Sequence, residues 1–515
     1  MPALVRSAAL QGIDATQVDV EVSVMSGLPS YTVVGLGDTS VKESRERLTA
    51  AVSYLKYDPP RRKTIVSLAP ASLKKVGSLY DVAITIGYLL ASSQVKISLD
   101  RLNKAWFIGE LGLNGQIRPV CGVLPIALAA IKAGIQVLYI PQGNAKEAQA
   151  VADQIQIYPM DSLSGVIHHL QSNRGKPAIK PLLSRQESSA LFVPEIDLSD
   201  IRGQDHAKRA LLIAAAAAHN LLLIGSPGTG KTIMARALAG IMPPLSLPES
   251  FVVTSLYSIA GLLSADEGLL RRRPFRSPHH GASSVALVGG GQQTRPGEVS
   301  LAHGGVLFLD ELPEFSRNVL DQLRQPIEDG VITVSRAHHT HTFPARSVVV
   351  AAMNPCKCGY LGSQRQECQC LPADVLRYQR RISGPFLDRI DIHVMVNDVP
   401  VSELLAETKT GQPTSSDYAA QVAAARTLQI KRQGKTNAEL IIPEIKKYCR
   451  IDQASKTLLY QAENRFHLTA RSIHRLLKVS RTIADLEGEE SIMSRHLAEA
   501  LQYREQLKAA LPDFV

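Results

Sequence analysis

The sequence predicts an α/β protein in three parts: a compact α/β unit, a central unit built on a parallel sheet, and an all-helical C-terminal segment. Three observations carry that expectation. Apolar patterns of strand type and helix type alternate up to about residue 171. Short, fully apolar runs separated by helical stretches recur between residues 203 and 352, as in a parallel sheet covered on both faces. From about residue 401 the strand patterns stop and only helical periodicity remains. At 515 residues the chain is long enough to bury roughly three cores.

Taken in order, the first unit spans 1–175. The alternation of Val18, Val20, Val22 and Val24 predicts a half-buried strand. A helix over Thr39–Ser53, a strand over Thr64–Leu68, a helix over Ser78–Ser92 and a strand–helix–strand unit across Val120–Ile140 follow. Residues 171–193 lose periodicity and hold Gly175, Pro177 and Pro181, so 176–193 is expected to be a linker. The second unit, 194–400, opens with a helix over Gly203–Ala218, an apolar strand over Asn220–Ile224, a Gly-rich loop and a helix over Thr232–Met242. Further strands are expected at Val306–Leu309 and Ser347–Ala352. In the third, 401–515, helices are expected over Ser416–Gln433, Ile442–Cys449, Ser455–Phe466, Ala470–Leu486 and Ser494–Leu507.

Composition narrows the class. Apolar residues at 45% and charged residues at 20% exclude a disordered chain, and 35 Gly with 29 Pro exclude collagen-like or low-complexity readings. The longest apolar runs, Val82–Ala91 and Ala210–Ala218, are too short to span a bilayer. Arg6, Asp14 and Asp19 interrupt the first 20 residues, where a signal peptide would need an apolar core. A soluble, cytoplasmic protein without a membrane partner is therefore expected. The net charge of +10 favours an acidic partner such as nucleic acid, but the excess is spread along the chain, so a binding groove must come from local clusters.

Gly225-Ser226-Pro227-Gly228-Thr229-Gly230-Lys231-Thr232 meets every fixed position of the phosphate-binding pattern G-x-x-x-x-G-K-[ST], between a strand and a helix. Its backbone N–H groups and the helix N-terminus suit the phosphates of ATP. Lys231 is expected to reach the β- and γ-phosphates and Thr232 to ligate Mg²⁺. A second apolar strand, Val306–Leu309, ends in Asp310 and Glu311. Asp310 is the candidate for holding the magnesium ion, and Glu311 for polarising the attacking water. Together the two motifs predict an ATPase.

With these motifs the chain resembles the AAA+ ATPases. That resemblance implies further roles. Asn354, ending the next strand, would be a sensor orienting the lytic water. Arg389, within Phe386-Leu-Asp-Arg-Ile-Asp391, would be an arginine finger presented to a neighbouring subunit. Arg471, in Thr469-Ala-Arg471 at the start of a lid helix, would be a second sensor near the γ-phosphate. Gly203 and Gln204, in Ile201-Arg-Gly-Gln204, would line the adenine pocket. Charge builds on the γ-phosphoryl oxygens in the transition state, which is what the guanidinium groups would stabilise.

Loop wording is narrower still. Pro274-Phe-Arg-Ser-Pro-His-His280, Gly289–Gly291, Arg295-Pro-Gly-Glu298 and Leu301-Ala-His-Gly-Gly-Val306 resemble the magnesium-chelatase-like branch. Cys356-Lys-Cys-Gly359 and the stretch Arg471–Leu486 narrow the resemblance to the ComM/YifB family, over essentially the whole chain. The resemblance implies a homo-hexameric DNA motor, a helicase that drives branch migration on single-stranded and branched DNA. That step belongs to natural transformation and DNA recombination, alongside other recombination proteins. The other function weighed is a magnesium-chelatase-type motor subunit driving metal insertion into a porphyrin. Against it stand the Lon-like first unit and the cysteine cluster described below, and it would need a separate metal-carrying partner, since the chain holds no D-x-S-x-S-type metal-adhesion motif.

Residues 1–175 resemble the Lon-protease fold, through Leu111-Gly-Leu-Asn-Gly-Gln-Ile-Arg-Pro119 and Gly134-Ile-Gln-Val-Leu-Tyr-Ile-Pro141. Aligned on those flanks, the nucleophilic Ser position falls on Leu79 and the Lys position on Leu124. A Ser–Lys mechanism needs both groups, so no proteolysis is expected, and the unit reads as an assembly or DNA-binding platform.

Two clusters lie outside these motifs. Cys356, Cys358, Cys368 and Cys370 fall within 15 residues and offer four soft thiolates suited to structural Zn²⁺, with Lys357 and Arg365 nearby to offset charge; an iron–sulfur cluster is the other metal reading. Arg271, Arg272, Arg273 and Arg276, with Arg336 in a hairpin expected over Gly330–Phe343, are the candidates for DNA phosphate contacts. Strand alternation would split His338, His339 and His341 between faces, so they are expected to be exposed polar residues of that hairpin.

Overall fold

A computed structural model describes residues 2–172, 179–184, 196–291, 295–336, 339–400, 402, 412–466 and 468–509. The first unit is a seven-stranded mixed sheet. Its order is Ser30–Val34, Lys63–Ala69, Asp14–Met25, Ala3–Gln11, Ala105–Phe107, Val137–Pro141, Gln156–Met160. The valine alternation does what period 2 requires: Val18, Val20 and Val22 are fully buried on one face of Asp14–Met25. That strand pairs antiparallel with Ala3–Gln11 across the turn at Gly12 and Ile13. Helix Asp81–Ala91, apolar on nearly every face, is buried over these strands.

Two segments differ from the sequence reading. The helix expected over Thr39–Ser53 is broken into Thr39–Lys42 and Ser44–Tyr54. The strand expected at Val120 is absent, because its main chain pairs with a side chain instead. Asn144 accepts from the Val120 N–H at 3.0 Å and donates to its carbonyl at 2.9 Å, leaving helix Val123–Lys132 and strand Val137–Pro141. Within the expected linker, residues 179–184 run back over this unit: the Leu182 N–H donates to the Ile157 carbonyl at 2.8 Å, and the Ile179 N–H to His169 Nδ1.

The second unit is a five-stranded sheet, parallel throughout, in the order Phe275–Arg276, Val306–Leu309, Val348–Met353, Leu221–Gly225, Ile392–Val396. The Leu221–Gly225 strand is therefore interior, between Val348–Met353 and Ile392–Val396, and wholly buried, as its uninterrupted apolar run requires. All three strand ends named as chemistry-bearing lie at the carboxyl edge of this sheet, where open α/β sheets place their ligands.

The C-terminal helices Ser415–Gln433, Gln453–Phe466, Ala470–Leu486 and Ser494–Ala509 pack on the sheet layer, while Ile442–Tyr448 packs on Ala470–Leu486 in a small cluster of its own. The first four share the core of the sheet: Val422, Leu476, Val479, Ile483, Leu497 and Tyr503 join one apolar cluster with Leu221, Leu223 and Val394. A polar seam crosses the same boundary. His219 sits between Asp391, 3.3 Å away, and Thr482 Oγ1, 2.9 Å away.

Helix Leu247–Ala260, opened by a reciprocal Ser246/Glu249 cap, joins the first unit to the second. Its Ser258 hydroxyl accepts from the Gly122 N–H at 2.9 Å and donates to the buried Glu147 carboxylate, which also accepts from the Leu124 N–H at 2.7 Å. The two positions aligned with a proteolytic dyad, Leu79 and Leu124, are both buried leucines.

Candidate functional site

The phosphate loop follows the buried strand Leu221–Gly225 directly. Gly228 and Gly230 have φ of +79° and +87°, a region that costs glycine little and lets successive N–H groups turn inward. Lys231 opens helix Lys231–Ile241, and its Nζ donates to the carbonyls of Gly225 at 2.7 Å and Ser226 at 2.8 Å and to Asn354 Oδ1 at 3.2 Å. Burial lowers the Lys231 pKa, while the charges of Asp310 and Asp398 oppose that shift.

The Asp310 and Glu311 carboxylates stand on the neighbouring edge. Thr232 Oγ1 donates to Asp310 Oδ2 at 3.1 Å, so the two groups named as magnesium ligands already face each other. A hydroxyl and a carboxylate beside a phosphate-binding loop are the oxygen donors Mg²⁺ takes, so the donor set fits that ion. Glu311 adopts φ +50° and ψ +48°, a left-handed conformation rare for a residue with a side chain and found where surrounding structure over-determines it. Its carboxylate lies 3.3 Å from His280 Nδ1. His280, whose ring stands edge-on to Phe315 at 6.5 Å, closes the stretch Pro274–His280, whose local pattern implies no role for it. Sequence separation hides the pair; only the strand order brings residue 280 to residue 311.

Gln204, with φ +61°, donates through Nε2 to the Asn397 carbonyl. With His206, Asn397, Asp398 and Val399 it lines a cleft of about 450 Å³ at the end of the Ile392–Val396 strand. Gly203 precedes it, also at positive φ.

Neither arginine named as a transition-state stabiliser lies among these groups. Arg389, expected at an exposed subunit boundary, is 8% exposed, with its guanidinium donating to the carbonyls of Arg324 at 3.0 Å and Pro385 and to Glu328 at 2.6 Å. Arg471, expected near the phosphates, pairs with the same Glu328 on helix Arg317–Asp329. Glu328 is thus an acceptor shared by both guanidiniums in the single chain.

The four thiols come together. Cys356 Sγ lies 3.3 Å from Cys358 Sγ and 3.7 Å from Cys368 Sγ, Cys358 is 3.6 Å from Cys368, and all four sulfurs fall within 4.8 Å of one another. Tetrahedral Zn²⁺ with Zn–S near 2.3 Å needs sulfurs about 3.8 Å apart, so the donor set fits. Burial raises the Cys358 thiol, but the backbone N–H groups of Tyr360 and Gln369 and the adjoining thiols overcome this and bring it down to about 6. Arg365 does not face the sulfurs; it donates to the Val399 carbonyl.

The arginine cluster divides. Arg273 donates to the carbonyls of Pro243 and Gly304 with its side chain 7% exposed, and Arg276 makes two 2.6 Å bonds to Glu298. Both hold loops in the free chain, so a phosphate contact by either would compete with these bonds. Arg271 and Arg272 are exposed. Arg336 ends the strand Val331–Arg336, paired with His339–Pro344 in the expected hairpin, and its side chain lies outside the described residues, as does that of His339. His338 lies outside them altogether, and His341 is half-buried. Among the described residues, no helix is long and apolar enough to cross a membrane.

Residues 197–404 match the family described as magnesium chelatase, subunit ChlI; residues 20–144 match subunit ChlI of Mg-chelatase, and residues 412–504 match magnesium chelatase, subunit ChlI C-terminal. The chain is 43% identical to competence protein ComM of Haemophilus influenzae, with 98% of each chain covered. It is 42% identical to the protein YifB of Escherichia coli, over 97% of this chain and 96% of that one. A stretch of 35% of the chain is 26% identical to the Lon protease of Azorhizobium caulinodans and covers 22% of it.

Proposed function

The chain belongs to the ComM/YifB family of magnesium-chelatase-like AAA+ proteins, and from that premise we propose that it is an ATP-driven DNA motor. ATP and Mg²⁺ are its cofactors in this reading, and single-stranded and branched DNA its substrates. It works as a cytoplasmic homo-hexamer, with other recombination proteins, and drives branch migration as transforming single strands are integrated. The observation that carries the ATPase part is one cluster: Lys231 on Asn354, Thr232 on Asp310, and Glu311 held by His280, all at one sheet edge. The DNA part draws on the competence relative of near-equal length.

In this reading the phosphate loop and Lys231 bind the β- and γ-phosphates, and Thr232 with Asp310 holds Mg²⁺. Glu311 accepts a proton from the attacking water as it adds in line to the γ-phosphorus, the bond from that phosphorus to the β–γ bridging oxygen breaks to leave ADP and phosphate, and Asn354 orients the water. Gly203 and Gln204 border the adenine. Arg389 stabilises the charge developing in the neighbouring subunit's site, which requires its release from Glu328 on assembly, and Arg471 leaves the same carboxylate to act as the second sensor. Cys356, Cys358, Cys368 and Cys370 hold structural Zn²⁺. Arg271, Arg272 and Arg336 remain the candidate phosphate contacts.

The test is ATP turnover of the full chain alone and with single-stranded DNA, duplex, and a four-way junction. Stimulation by DNA, greatest with branched substrates, is the expected result. Stimulation only by a tetrapyrrole-synthesis partner would replace this reading with the chelatase motor.

A further inference from the structure

Residues 354–371 contain no helix or strand, yet they run between the two ends of the nucleotide cleft. The segment begins at Asn354, where strand Val348–Met353 ends, and its first thiol follows two residues later. Gln379 holds the intervening Pro355 carbonyl at 2.9 Å. The turn then folds over the phosphate loop. The Gly359 N–H donates to the Cys356 carbonyl at 3.1 Å, and a Cβ at Gly359 would lie 2.6 Å from Pro227 Cδ and 3.9 Å from Asn354 Cγ. Nothing larger than glycine leaves this contact intact.

The loop between Cys358 and Cys368 reaches the other end. Ser363 Oγ donates to Asp398 Oδ2 at 2.6 Å, and Arg365 donates to the Val399 carbonyl with its guanidinium 4.0 Å from Asp398. Asp398 and Val399 line the cleft beside Gln204. One cysteine cluster therefore ties together a segment that touches Pro227 and Asn354 on the phosphate side and Asp398 and Val399 on the opposite side. Segments of this length without helix or strand are uncommon in compact domains; a few hydrogen bonds anchor this one, and metal binding by thiolates would add a cross-link as folding free energy.

We propose that Cys356, Cys358, Cys368 and Cys370 hold one Zn²⁺ per chain and that this metal sets the geometry of the nucleotide cleft, through Gly359 on Pro227 and through Ser363 and Arg365 on Asp398 and Val399. The proposal rests on the ATPase reading of that cleft. Zn²⁺ takes no part in hydrolysis here; the residues it orders are positioning residues for Asn354 and the loop around Lys231.

The experiment uses the full chain and three readouts: bound zinc per chain, affinity for a fluorescent ATP analogue with Mg²⁺, and ATP turnover. Titrating the thiols with a mercurial should release about one zinc per chain, weaken nucleotide affinity at least tenfold in step with release, and be reversed by thiol reductant and Zn²⁺. Two variants that keep all four cysteines separate coupling from folding. Arg365→Ala should retain zinc and unfolding temperature, and Gly359→Ala should retain zinc, while each loses several-fold in nucleotide affinity. A folded protein without zinc overturns the metal site. Zinc release, or either variant, that leaves affinity and turnover unchanged overturns the coupling. A zinc-loaded wild-type chain that binds no ATP overturns the ATPase reading instead, and the coupling with it.

Discussion

Lys231 and Glu311 divide the labour of the site between a cradle and a base, and their substitutions should separate accordingly. Lys231→Ala removes the charge at the β- and γ-phosphates and should abolish tight Mg·ATP binding. Glu311→Gln should bind ATP near normally and hydrolyse it at least ~10²-fold more slowly, as expected for loss of a general base. Nucleotide affinity and single-turnover rates check both, and near-normal turnover in Glu311→Gln would remove Glu311 from its role. His280 acts one step further out. Its imidazole is 3.3 Å from a carboxylate whose backbone is already in a left-handed conformation, so it positions rather than reacts. His280→Ala should lower kcat roughly tenfold while leaving nucleotide affinity unchanged; an equal loss in both would mean general loosening of the site.

The strand Ile392–Val396 carries a titration that the whole element feels. His393 is buried, and burial together with the charge of Arg504 pushes its pKa down to about 3. An imidazole near 6.5 in the unfolded chain and about 3 in the folded one favours the neutral form on folding. Its contribution to stability is therefore complete above pH 6.5 and is lost progressively as pH falls from 6.5 towards 3. Between pH 6.5 and 4.5 that amounts to about 2–3 kcal/mol. Asp391, two residues earlier and just ahead of the strand, behaves differently. Burial would raise it, but the hydrogen bond and charge of His219 and the guanidiniums of Arg475 and Arg504 hold it well below the usual carboxylate range. Its loss comes only below about pH 4. The unfolding free energy of His393→Phe should consequently fall less than that of the wild type between pH 6.5 and 4.5, while both fall together below pH 4. Parallel curves over the upper window would sink the assignment to His393.

Assembly is the whole-molecule question, and Glu328 is where it bears on chemistry. Arg389 and Arg471 converge on that carboxylate in the single chain, so the finger proposed to act in trans must exchange Glu328 for a neighbour's γ-phosphate. Loss of such a finger costs ~10³-fold or more in phosphoryl-transfer systems. Mixing Arg389→Ala chains with Lys231→Ala chains, each nearly inactive alone, should restore part of the activity, because some interfaces then pair an intact phosphate loop with an intact finger. A finger acting within its own chain predicts no rescue at any ratio. Full activity of Arg389→Ala by itself would end the idea.

What the sequence determined by itself was whatever neighbours in the chain decide. The phosphate loop, the Asp310–Glu311 strand end and the helix Ala470–Leu486 are contiguous, and local spacing suffices to read them. The missing strand at Val120 shows the limit of that reading, since a side chain 24 residues away claimed its hydrogen bonds. Tertiary structure alone decided which arginines were spoken for. Arg273 and Arg276 read as a basic run, but Gly304 and Glu298 lie beside them only once the sheet order is set. It alone brought His280 to Glu311, Arg389 and Arg471 to Glu328, and the thiol segment across both ends of the cleft. The physical reason is range: backbone periodicity and loop chemistry act over a few residues, whereas ion pairs, buried hydrogen bonds and close packing are made between residues that only the folded sheet places in contact.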